Sequence, residues 1–178
     1  MKHYDIVSCQ FAFHYSFDSE AGARTALSNV ASVLRTGGYF FGVIPNAREI
    51  RRRLQDPEFC ADGQTLKNQY FSLTMDKPVT VKFPSPFGIR YEFSLIDAVD
   101  SCPEYIVPFS VLESLAAEYG LGFIMEMPLQ KFYETFSQMP EYQNLLHRMN
   151  IVEDDCLTLS PDELSVASLY LAFAFRKL

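Results

Sequence analysis

Two short apolar runs separated by one long amphipathic segment limit what this chain can fold into more than any other feature. Tyr4 to Val7 reads as a buried strand. Ala23, Ala26, Leu27, Val30, Val33 and Leu34 then recur at helical spacing, with Asp18 as the expected N-cap and Gly37 as the expected C′ glycine. Tyr39 to Ile44 reads as a second buried strand. A strand, a helix and a strand make a crossover, so the two strands should pair in parallel. Gly37-Gly38 closes this helix rather than opening one, which argues against a dinucleotide-binding loop.

The crossover places Ser8 to Tyr15 just beyond the carboxyl end of a strand, where ligands collect in open α/β sheets. Further along, Asn46 should cap a short helix from Ala47 to about Gln55, with Glu49 placed as in a capping box. Arg48, Arg51, Arg52 and Arg53 on that helix form either a solvated basic face or a landing point for phosphates. From Pro57 the helical pattern stops. Gln69–Thr74, Val79–Phe83 and Ile89–Leu95 read as short strands of an antiparallel excursion over one end of the sheet, a common way to build a substrate lid. Val111, Leu112, Leu115, Ala116 and Tyr119 line one helix face, stopped by Gly120, and Leu121 to Met127 reads as the next strand. Leu129–Met139 and Glu141–Met149 read as two helices, and the acidic run from Ile151 to Leu159 as a loop. Ser160-Pro161-x-Glu163 is a helix start, and Ser165 to Phe175, apolar on both faces, suits an interior strand.

A chain of 178 residues can bury one substantial core. Its net charge of −7 argues against a broad electrostatic sheath for nucleic acid, so any RNA contact should be local, at one end or one base. Cys9, Cys60, Cys102 and Cys156 are widely spaced, with no C-x-x-C pair. That favours a reduced, metal-free protein with Cys9 as a packed thiol. A hydrolase using Cys9 or a serine with His14 is a weak reading, because no G-x-S-x-G elbow occurs and no acidic partner is placed for the histidine.

The pattern S-C-Q-F-x-x-H-Y at 8–15, followed by G-G-Y-F-x-G-x-x-P-N at 37–46, resembles the mRNA cap guanine-N7 methyltransferases. Pro103-Glu104-Tyr105 and the final Ser168-Leu169-Tyr170-Leu171-Ala172-Phe173-Ala174-Phe175 extend the resemblance over nearly the whole chain. It implies an α/β fold: the C-terminal half of a Rossmann-like class I methyltransferase sheet with a small antiparallel insertion lobe. The sheet should be mainly parallel, with its last strand inserted antiparallel. It also implies S-adenosylmethionine as cofactor, the 5′ capped end of mRNA as partner, no membrane or metal, and a nuclear location. By the same resemblance, Gln10, Phe11 and Tyr15 border the cofactor, while His14, Tyr15, Pro45, Glu104 and Tyr170 face the guanine.

The family's glycine-rich loop and its acidic ribose ligand belong to earlier strands, and neither motif occurs here. The expectation is therefore one partial domain over 1–178, with 57–101 as its lobe and the upstream cofactor-binding half absent. An apolar strand at Asp5–Ser8 would then be an open sheet edge that recruits another chain, such as the missing half or an activating subunit. A non-catalytic cap-binding or scaffolding fragment remains the alternative. The chemistry suits the residue types in either case. A glutamate can accept from guanine N1–H and N2–H together, a histidine N–H can reach O6, and tyrosine or proline faces can pack a base.

Overall fold

The computed structural model describes residues 3–79, 83, 85–153 and 156–178. β1 (Tyr4–Gln10) leads through a 3-10 segment (Phe13–Asp18) into α1 (Glu20–Val33) and β2 (Leu34–Pro45), followed by α2 (Ala47–Leu54). Next come β3 (Thr65–Lys67), β4 (Phe71–Met75), β5 (Arg90–Leu95) and β6 (Val99–Tyr105), then α3 (Phe109–Glu118) and β7 (Leu121–Pro128). The chain closes with α4 (Leu129–Phe136), α5 (Pro140–Arg148), β8 (Val152–Glu153), β9 (Cys156–Leu157), α6 (Pro161–Ala167) and β10 (Tyr170–Lys177).

The main sheet has the order β1-β2-β10-β7. β1 and β2 are parallel, as the crossover requires, and β10 lies antiparallel to both of its neighbours. The expected antiparallel insertion of the last strand is thus observed. Its face bearing Leu171, Phe173 and Phe175 is fully buried, whereas the face bearing Tyr170, Ala172 and Ala174 is half-buried. Phe40, Ile44, Leu171, Phe173 and Phe175 point to one side and form a core with α1 and α3. A second core lies between α2, α6 and the small antiparallel sheet, order β3-β4-β5-β6, and includes Ile50, Leu54, Leu73, Tyr91, Phe93 and Leu169.

The structure departs from the local sequence pattern at several points. β1, expected to be a buried strand, has no fully buried residue, because it lies at the edge of the sheet and Tyr4 and Ile6 stay exposed. Ser19, not Asp18, caps α1: its hydroxyl accepts from the Gly22 N–H at 3.1 Å and donates to the Asp18 carboxylate at 3.0 Å. Gly37 is no helix cap, because α1 ends at Val33. Leu34 pairs with Tyr4 and Tyr39 with Ile6, so Arg35 to Gly38 bulge against Asp5 alone, and Gly37 takes φ +81° there. The stretch before Ile106 is not a lead-in loop but β6. Pro103 is tolerated there because β6 is an edge strand and needs one ladder donor fewer. The last strand starts at Tyr170, since 161–167 is helical. The acidic run is partly paired, β8 against β9. Of the Val79–Phe83 strand, residues 80–82 lie outside the described residues. The Asn46 cap, the Gly120 stop (φ +68°) and the Ser160–Glu163 capping box are all present.

Gly42 is where β1 and β2 meet most closely: a Cβ there would sit 2.0 Å from the Cys9 carbonyl oxygen. The obstacle is backbone, which cannot swing aside as a side chain can. Gly42→Ala should destabilise the chain by about 3 kcal/mol, measured as a drop in the urea unfolding midpoint. An unchanged midpoint would show that β1 is free to move away.

Candidate functional site

The carboxyl ends of β1 and β2 and the amino end of β10 lie together, and the small sheet closes over them. Pro45 stands opposite Tyr170 in the β2–β10 register, and the Asn46 N–H donates to the Leu169 carbonyl at 2.7 Å, which ties the two strand ends. Arg53, buried on α2, donates to the Ser165 carbonyl and hydroxyl at 3.1 and 2.9 Å and to the Ser168 hydroxyl, locking α6 and the start of β10 against α2. Glu49 accepts from Arg53 at 2.7 Å and from Arg52 at 2.9 Å; those bonds hold its carboxyl below the ordinary range despite partial burial. Arg48 pairs with Glu126. Most of the basic helix therefore serves internal bracing. Arg51 alone of the four lacks an ion pair among the described residues, and it lines a cavity of about 360 Å³ with Asn46, Ser110, Glu113 and Glu126.

Glu104 is the centre of the site. It is 5% exposed, near the end of β6 where the two cores meet. The Tyr91 hydroxyl donates to its Oε2 at 2.5 Å and the Tyr15 hydroxyl to its Oε1 at 3.3 Å. Nε2 of His14, a residue 1% exposed, lies 3.4 Å from Oε2 without hydrogen-bond alignment, and its Nδ1 has no partner among the described residues. A buried imidazole with unused polar atoms is costly unless a ligand completes it. The His14 and Tyr15 rings are 4.4 Å apart at 34°, and Tyr15 remains 40% exposed.

Burial pushes the Glu104 carboxyl up, but the His14 ring and the Tyr91 and Tyr15 hydroxyls outweigh it, so the group lies below its ordinary range. Burial, then the Glu104 charge, raises the Tyr91 and Tyr170 phenols. Tyr15 is raised first by desolvation, then by its contact with Cys102 and by Glu104. Burial raises the Cys9 thiol, in keeping with a packed rather than nucleophilic cysteine.

The structure thus joins His14, Tyr15 and Glu104 directly and sets Pro45 beside Tyr170. Phe11, half exposed, meets the Tyr170 ring edge-on at 5.1 Å. Phe11 also holds φ +53°, with its N–H donating to the Val43 carbonyl at 3.0 Å. An aromatic residue kept in the left-handed region is the kind of strain that clusters at ligand sites. Gln10 stands apart, its amide donating to the Ser8 hydroxyl at 2.8 Å. Two contacts were absent from the sequence reading. Tyr91 comes from the second position of β5, and the Cys102 thiol lies 3.5 Å from the Tyr15 hydroxyl. The alternation in Tyr91-Glu92-Phe93 marks Tyr91 only as a buried residue, so no local signal separates it from core.

Among the described residues, no helix is long and apolar enough to cross a membrane, and no group of three or more His, Cys, Asp or Glu is placed to hold a metal ion.

The family model for the mRNA (guanine-N(7))-methyltransferase domain matches residues 1–178. The chain is 44% identical to mRNA cap guanine-N(7) methyltransferase 1 of Oryza sativa subsp. japonica, covering 98% of this chain and 47% of that protein. It is 40% identical to the mRNA cap guanine-N(7) methyltransferase of Saccharomyces cerevisiae, covering 97% and 41%. The chain thus spans about half the length of the curated relatives it matches. Among solved structures, the CcbJ methyltransferase from Streptomyces caelestis superposes with a TM-score of 0.50 at 12% identity, over 99% of this chain and 62% of that one. That likeness shows the fold, an α/β methyltransferase sheet with mixed strand directions.

Two measurements check the site. Arg53→Ala should cost about 2–3 kcal/mol and raise hydrogen exchange at Ser168–Leu171; unchanged exchange there would remove its bracing role. Glu104 has a folded value below the unfolded one of about 4.3. Its contribution is therefore fully present above that pH and is lost as pH falls through the folded value. Glu104→Gln should be less stable by about 1–3 kcal/mol at neutral pH, with the gap narrowing on acidification. A constant gap in urea midpoints would contradict this.

Proposed function

Because the chain belongs to the mRNA (guanine-N(7))-methyltransferase domain family, we propose that it supplies the guanine-binding side of an enzyme that methylates N7 of the 5′ cap of mRNA. The observation that carries this reading is the buried Glu104 beside His14, whose ring nitrogens lack hydrogen-bond partners among the described residues. A carboxylate accepts two donors, and guanine N1–H and N2–H offer two on one edge; an imidazole N–H then meets O6. Adenine lacks that edge and would turn its N1 lone pair toward the carboxylate in place of a donor, a costly outcome in a buried site. Tyr15, Tyr170 and Pro45 provide flat surfaces for the base.

Guanine N7 carries a free lone pair, so methyl transfer needs no general base. The residues named here bind and orient: they hold the base so that N7 faces the donor, and the aromatic walls exclude water and other approaches. S-adenosylmethionine, when bound, supplies the methyl group on a sulfonium sulfur. Phe11, exposed at the strand end, together with Gln10 and Tyr15, fits one wall of a site for it.

The remaining wall would come from an upstream half docked against β1, within one domain to which 1–178 contributes the C-terminal part and 57–101 the lobe. Support comes from the open edge of β1 and from Ile6, Tyr39 and Phe41, which stay exposed on the sheet face opposite α1 and α3. The capped transcript would be met in the nucleus.

The test is calorimetric titration of the chain with GpppG and GpppA. GpppG should bind at least about 100-fold more tightly, given the cost of unpaired buried groups. Equal affinities, or no binding of GpppG, would overturn the guanine assignment. S-adenosylhomocysteine titrated separately should bind far more weakly than it does to a full-length relative. Equal affinity would overturn the need for an upstream wall.

A further inference from the structure

Tyr91 stands directly opposite Glu104 in the β5–β6 ladder, and its ring is 1% exposed in the second core. In an antiparallel pair, opposite residues project to the same face, so backbone pairing itself delivers the phenol to the carboxylate. The hydroxyl donates its only hydrogen to Oε2 at 2.5 Å. The other oxygen, Oε1, is engaged by Tyr15, whose ring is much more exposed. One oxygen of Glu104 is thus anchored by a residue packed in the second core, and the other faces a residue that is partly exposed to solvent.

We propose that Tyr91 is a positioning residue for guanine recognition: its buried hydroxyl anchors Oε2 so that Oε1 and the remaining lone pair of Oε2 face the base. This inference rests on the guanine reading above. A glutamate side chain has three rotatable bonds, and without a fixed donor at its inner oxygen the carboxylate can turn away or take up a proton. A protonated Glu104 would meet the N1–H and N2–H donors of guanine with a donor of its own, and recognition would fail.

The groups facing Glu104 are His14 and Tyr15 from the 3-10 segment, Tyr91 from β5 and Tyr170 from β10, with the Cys102 thiol beside Tyr15. Of these, Tyr91 makes the shortest contact, and among the hydroxyls that donate to Glu104 it is the buried one, whereas Tyr15 is 40% exposed. Removing its hydroxyl should therefore affect Glu104 more than removing that of Tyr15.

The test combines two readouts on the same chain. The carboxyl carbon of Glu104 is titrated by NMR in the free wild-type, Tyr91→Phe and Tyr15→Phe proteins, and the dispersion of the same spectra reports folding. GpppG affinity is then measured across pH for wild type, Tyr91→Phe and Glu104→Gln. Tyr91→Phe should raise the Glu104 midpoint, and Tyr15→Phe should raise it less. GpppG binding to Tyr91→Phe should be about ten-fold weaker near pH 5, with the deficit shrinking toward pH 8, whereas Glu104→Gln should be weaker throughout. An unmoved Glu104 midpoint in Tyr91→Phe overturns the role of Tyr91, whatever the cap titrations show. A raised midpoint with GpppG binding untouched by Glu104→Gln overturns the guanine reading instead. A raised midpoint with weakened binding in Glu104→Gln but not in Tyr91→Phe confines Tyr91 to structure.

Discussion

A carboxylate buried where two apolar cores meet is the constraint on which the rest of this molecule turns. Glu104 can stay charged at 5% exposure only if donors surround it. Those donors come from parts of the chain far apart in sequence: Tyr15 after the first strand and Tyr91 in the small sheet, with the His14 ring alongside. Glu104 thereby joins the small sheet to the 3-10 segment. The site is also the join between the two cores, because Ile106 belongs to one and Val107 to the other.

The same economy explains the basic helix. Four arginines on α2 give a strong local signal for phosphate binding. Three of them instead find carboxylates within the fold, and the buried Arg53 also satisfies hydroxyls and a carbonyl of α6. The price of burying a guanidinium is met by a fork of donors that pins the residues just ahead of Tyr170. Site geometry and helix bracing are thus one network, and a charge-reversing change on α2 would reach Tyr170 through it.

Strand order sets where open surface remains. β2 and β10 are paired on both sides, and their inward residues are fully covered. Among the described residues β1 is paired on one side only, and Gly42 lets it approach β2 so closely that the Cys9 carbonyl lies over the glycine. Among the described residues, the outer edge of β1 has no strand partner, and Ile6, Tyr39 and Phe41 leave an apolar patch exposed on the sheet face.

Local chemistry settled much of this in advance. Apolar periodicity marks α1 and β2, and an Asn or Ser oxygen placed to accept the third amide marks the starts of α2 and α6. A strand–helix–strand crossover within one sheet can only be parallel, and the order of short motifs points to the family. What could not be read locally is whatever depends on pairing across the chain. Gly37 looks like a helix stop because its φ is positive, but the same φ serves a bulge, and only the β1 register distinguishes the two. Glu104 looks like a loop carboxylate until β6 pairs with β5. Tyr91 looks like core until that same ladder puts its hydroxyl against Glu104. Sequence determined the elements and the residue types at the strand ends, because caps and periodicity act within a few residues. The tertiary structure alone decided which of those groups share a buried charge, because that depends on strand register and on the meeting of two cores.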